Sequence, residues 1–138
     1  MKPTMKPTMK PMLYEDFVPG AAIGEIVLPF EPALARAWQN IFGADAGGGP
    51  AEAASMAVVM MMRAYLNVVT PRPPGNVHAR QRMRLAGTPR LGERIRTVMS
   101  CEHKEIRRER RYVELRAVGT GEGGRPLFDA RLSLVWAA

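Results

Sequence analysis

The chain has 138 residues and 46% hydrophobic content, enough for one domain with one sizeable core and too apolar for wholesale disorder. Its single cysteine, Cys101, excludes an intramolecular disulfide and a multi-cysteine zinc site, and fits a reducing compartment. A formal charge of +7 and a pI near 10.3 require that acidic partners be considered, nucleic acid and the phosphates of a cofactor among them.

Part of that charge lies in the opening MKPTMKPTMKPM, a repeat too rich in Pro and Lys to pack. Residues 1–12 are therefore set aside as an unpacked tail, a start region or an expression artefact, and residues 13–138 are expected to form a single domain. No apolar segment follows the lysines as in a secretory signal. The longest apolar stretch, Ala53 to Met62, is too short to span a bilayer. A cytoplasmic protein without a membrane partner is the expectation.

Tyr14 to Leu28 reads as a turn followed by a first strand with a β-branched finish. Pro32 then opens a helix in which Leu34, Trp38, Ile41 and Phe42 recur at helical spacing, and Gly43 closes it. After the glycine run IFGADAGGGP, Pro50 opens a second helix, AEAASMAVVMMMRAYLN. Between Glu52 and Arg63 this helix carries no charge on any face, so burial on all sides is expected. Its methionines, Met56, Met60, Met61 and Met62, are read as core packing rather than as a flexible binding surface.

From Asn76 the period changes to two. Val77, Ala79, Gln81, Met83 and Leu85 alternate with His78, Arg80, Arg82 and Arg84, giving one largely apolar and one basic strand face. A break at Thr88–Gly92 precedes a strand with Ile95, Thr97, Met99 and Cys101 on one face. Val113, Leu115 and Ala117 mark another strand. Gly119–Gly124 is a hairpin turn, and Phe128, Ala130, Leu132, Leu134 and Trp136 mark the last strand. One apolar helix and a long antiparallel meander define an α+β protein whose sheet curls around the helix.

This order resembles the hot-dog fold, and several stretches resemble the MaoC-like hydratase/dehydratase family. They are Tyr14-Glu15-Asp16-Phe17 with Gly20, PGNVHARQRMRLAGTPRLGERI, KEIRRERRYVELRAV and the closing ARLSLVW. The resemblance implies a curved antiparallel sheet wrapped around one long buried helix, and a ligand that is an acyl thioester of coenzyme A or acyl carrier protein. It implies no further cofactor and no metal. Catalytic members add or remove water across a C2–C3 double bond, using an Asp-x-Asn-Pro-aliphatic-His motif between the two helices. Two proton-transfer groups must reach the same carbons, while backbone N–H groups at the start of the central helix hold the thioester oxygen.

That motif is absent here. Asp45 stands near the expected place, but no Asn-Pro follows it and no histidine precedes His78. Gly48, Gly49, Pro50 and Ala51 keep the flexible helix entry that would hold a carbonyl or phosphate; the plainer reading is a tight bend into a buried helix. Glu52, in the first turn, is a candidate carboxylate for thioesterase-type chemistry, or else an acid that stabilises the helix dipole. His78 is the third catalytic candidate beside Asp45 and Glu52, but by strict alternation it shares the face of Arg80 and Arg82, where surface or interface contact is the expected role. The basic strand residues Arg80 and Arg84 are candidates for phosphate or partner contact, and the run Arg107–Arg111 reads as a solvated mixed-sign surface.

The expectation is an acyl-thioester-binding subunit resembling the family's motif-less half, pairing as a homodimer or with a catalytic MaoC-like homologue. The alternatives are an active dehydratase or acyl-CoA thioesterase using Asp45 or Glu52, and a basic interaction module. Few aromatics interleave the arginines, so nucleic acid is the least favoured partner.

Overall fold

A computed structural model describes residues 10–43 and 49–138. Strand β1 (Ala22–Pro29) leads to helix α1 (Pro32–Phe42) and then to helix α2 (Pro50–Val68). Strands β2 (Val77–Leu85), β3 (Arg94–Arg107), β4 (Arg110–Thr120) and β5 (Pro126–Trp136) complete the chain. All pairings are antiparallel, in one five-stranded sheet ordered β1-β3-β4-β5-β2.

The period-two faces explain the core. Ile95, Met99 and Cys101 of β3, Val113, Leu115 and Ala117 of β4, and Phe128, Ala130, Leu132, Leu134 and Trp136 of β5 are all buried. They form one cluster with Met56, Ala57, Met60, Met61 and Tyr65 of α2. Burying each large side chain of this kind stabilises by roughly 1.5–3 kcal/mol. Gly119 belongs to strand β4 rather than to the turn, paired with Thr97 and Phe128, and the Phe128 ring covers it so closely that an added Cβ would stand 2.2 Å from a ring atom. Cys101 is buried, and that burial pushes its thiol up from the ordinary range.

Two expectations about the helices need correction. Helix α2 is not enclosed on every side: its sheet-facing stripe is buried, Val58 and Met62 are half-buried, and Leu66 is 46% exposed. One sheet covers one side of a helix, and α1 shields only part of the other. In α1 the apolar spacing is real but its last turn faces water, with Ile41 76% and Phe42 61% exposed. Ala35 is the buried residue of that helix.

The arginine-rich run forms the β3–β4 hairpin tip. Arg107 and Arg110 close it, while Arg108 (φ 51°) and Glu109 (φ 65°) occupy left-handed backbone positions. This turn shape favours Asn-Gly, and a non-glycine residue there costs about 1–2 kcal/mol. Glu109→Gly is therefore expected to stabilise the protein by about 1 kcal/mol, read as a thermal midpoint raised by roughly 3–6 °C.

Candidate functional site

Helix α2 starts where the sequence places it. Gly49 is its N-cap and Pro50 its first residue. Pro50 has no N–H to offer, and the first helical bond of this turn runs from Ala53 N–H to the Gly49 carbonyl at 3.1 Å. A cavity of about 220 Å³ opens at this turn. Its walls include Phe30, Ala35 and Gln39 on one side, Gly49, Glu52 and Met56 on the other, with Leu91 from the loop after β2. Gln39 Nε2 donates to Glu52 Oε1 at 2.8 Å, holding the carboxylate at the cavity wall. Sequence reasoning passed over Gln39; its signal is the four-residue step from buried Ala35, which puts a polar group on the inward stripe of α1.

Glu52, Gly49, Pro50 and Ala51 thus stand together. Asp45 and Gly48 lie outside the described residues. Arg80 and Arg84 do not join this cavity: they pair with Ser133 and Asp129 on the sheet face turned away from α2.

His78 is on the other face from the one alternation assigns. Ala79 is an extra residue, a β-bulge between the pairs His78–Leu134 and Arg80–Ser133. The bulge reverses the facing of the strand's first residues. His78 therefore lies opposite core-facing Leu134 and turns toward α2, with its ring 6.3 Å from that of Tyr65. Partial desolvation of the ring lowers its pKa and so favours the neutral imidazole. A separate hollow of about 380 Å³ is lined there by Tyr65, Arg72, Asn76 and His78. Tyr65 and Glu52 are 13 residues apart on α2, roughly 20 Å along the axis at 1.5 Å per residue. Within one chain, His78 and Glu52 sit at opposite ends of the helix and do not form a proton-transfer pair.

The loop below the cavity is fixed by a residue the sequence reading left unassigned. Glu93 is only 3% exposed and accepts from the backbone N–H of Arg90 and of Glu122, each at 3.0 Å. The Arg125 guanidinium donates to the same carboxylate at 2.5 Å and to the Thr88 carbonyl at 3.1 Å. Burial alone would raise the Glu93 pKa, but these donors outweigh it and hold the carboxyl below its ordinary value. Glu93 is a positioning residue for the Thr88–Leu91 wall of the cavity.

Among the described residues, no cluster of three His, Cys, Asp or Glu side chains suits a metal ion. No helix there is long and apolar enough to cross a membrane.

The five-stranded curved sheet packed on α2 is the hot-dog fold. No protein-family model and no curated protein matches the sequence. Among solved structures, the MaoC-like dehydratase from Rhodospirillum rubrum superposes with a TM-score of 0.72 at 13% identity, over 92% of this chain and 98% of that one. A chain of the ChsH1–ChsH2 complex from Mycobacterium tuberculosis gives 0.62 at 13% identity, over 87% and 98%. The HadBC (3R-hydroxyacyl-ACP dehydratase) complex from the same organism gives 0.59 at 15% identity, over 82% and 96%. At such identities the likeness is one of fold.

Proposed function

We propose that this chain is a MaoC-like hot-dog protein that binds an acyl thioester, of coenzyme A or acyl carrier protein, at the start of α2. In this reading it lacks the hydratase dyad and works in the cytoplasm as a non-catalytic subunit. It pairs with a second copy or with a catalytic homologue. The observation that carries it is the cavity itself: mostly apolar walls, among them Phe30, Ala35, Met56 and Leu91, close on Gly49 and the positive end of the α2 dipole. Hydration needs a second proton-transfer group at the same carbons. Among the described residues no histidine lines the cavity, and His78 belongs to the far end of the helix. Two of the similar solved structures are heteromeric complexes, which supports a paired arrangement.

The test is calorimetric titration with butyryl-CoA and octanoyl-CoA, alongside loss of enoyl absorbance with the matching enoyl-CoA substrates. Saturable binding without turnover is the expected result, and Glu52→Gln should leave binding within a few-fold. Absence of binding from a folded sample would sink the reading.

One observation favours a second reading, an active thioesterase or dehydratase: Gln39 orients Glu52 at the cavity wall. That reading requires measurable turnover in the wild type, reduced about 10²–10⁴-fold in Glu52→Gln, as expected for loss of a general base.

A further inference from the structure

The sheet face turned away from α2 distributes its charges unevenly. Near its middle, Glu102, Glu114 and Asp129 surround Arg116 and Arg131 at separations between 2.7 and 3.9 Å. Arg116 donates twice to Asp129, at 3.0 and 2.7 Å. The carboxylates of this face are thereby engaged. At its border, β2 presents Arg80, Arg82 and Arg84 in alternate positions, opposite Ser133, Arg131 and Asp129. Among the described residues, none of these three arginines forms an ion pair of its own within 4.0 Å.

β2 is also the end of the sheet, hydrogen-bonded on one side only, and every one of its residues except Met83 is exposed. A long exposed edge is a template for another strand. Parity then decides what that strand can be. In a two-fold antiparallel pairing of β2 with itself, the sheet continues and each residue faces a residue of its own face. In the registers that pair the regular stretch Arg80–Leu85 with itself, Arg80, Arg82 and Arg84 therefore oppose one another. Setting Arg80 against Arg82, Arg82 against itself, or Arg82 against Arg84 stacks like charges across the seam in each register. Each such pair is destabilising, whereas opposite charges contribute roughly 0.2–1 kcal/mol. Nearby Arg131 adds to the repulsion.

We infer that β2 is built to receive the edge strand of a different, acidic chain, one carrying Asp or Glu at alternate positions against Arg80, Arg82 and Arg84, and that it rejects a second copy of itself. This deepens the pairing part of the proposed function and rests on it, but it is independent of what the cavity binds.

The experiment uses the full chain and its Arg80→Glu/Arg82→Glu variant, which serves as the acidic probe. Position 80 faces Ser133 and position 82 faces Arg131, so both substitutions suit the folded sheet; circular dichroism checks this, and Arg82→Glu alone is the second variant. Sedimentation velocity is run on each chain and on their equimolar mixture, at about 0.05 M and about 1 M salt, where screening falls from more than 10 Å to about 3 Å. The expected result is that each chain alone is monomeric at low salt. The mixture forms a one-to-one dimer with an apparent Kd at least about tenfold lower, and high salt erases the difference. A wild-type dimer of equal strength at both salts would overturn the rejection of self. A mixture that stays monomeric would overturn the edge as a docking strand. Neither outcome involves acyl-CoA, so failure here stays distinct from failure to bind a thioester.

Discussion

Replacing Glu93 with alanine is expected to cost about 3 kcal/mol, read as a lowered urea midpoint with an unchanged slope. Breaking a buried ion pair commonly costs 3–5 kcal/mol; the low end applies because Arg125 keeps 26% exposure and rehydrates. Three donors from two loops converge on this one carboxylate, so its loss frees both the wall of the cavity and the β4–β5 turn. Gly121 shows how closely the site is built: a Cβ there would stand 2.1 Å from a Glu93 oxygen. The pH dependence has a definite sign. The folded carboxyl titrates below its unfolded value of about 4.5, so its stabilisation is present above that value and is lost as pH falls through the folded pKa. Acidification below about pH 4.5 should therefore destabilise the wild type more steeply than Glu93→Gln.

Trp136→Ala is the other large effect, expected at about 3–5 kcal/mol. The indole is 1% exposed, meets the Phe17 ring edge-on at 4.9 Å, and donates from Nε1 to the Met12 carbonyl at 2.8 Å. The same N-terminal segment is held by Met12 N–H to Pro71 and Tyr14 N–H to Ala138. Lys104 adds a bond to the Tyr14 carbonyl. Truncating the indole removes a core aromatic and unpins residues 12–17 together. Limited proteolysis should then cut near Leu13–Phe17 much faster than in wild type, while Trp136→Phe should preserve most of the protection.

The element order was legible because it rests on period. Helix α1 and strands β2 to β5 grew from visible periodic faces, and the α+β hot-dog architecture followed from one apolar helix beside an antiparallel meander. Three features were not legible, each for a physical reason. Alternation counts residues and cannot see an insertion, so it assigns His78 to the arginine face, whereas the Ala79 bulge sets it opposite Leu134. A charged residue beside a glycine in a turn reads as solvated, so Glu93 passed unnoticed although Leu91-Gly92-Glu93 was part of the family resemblance. The hairpin at Arg108–Glu109 lacks a glycine, and its left-handed pair gave no turn signal. At the candidate site, Gly49 to Glu52 could be read from helix-start chemistry, whereas Gln39 required knowing that α1 lies across it.

The extra residue at Ala79 also limits how β2 can be read by anything that docks on it. Sliding the strand by one position against β5 would turn its arginines into the core, and sliding by two would carry the kink into the ladder. The strand has a single seat. Its regular stretch, from Arg80 to Leu85, spans only about 20 Å at roughly 3.3 Å per residue. An incoming chain therefore has few rungs to grip, and fidelity of assembly must come from the identity of a handful of side chains rather than from the length of the seam.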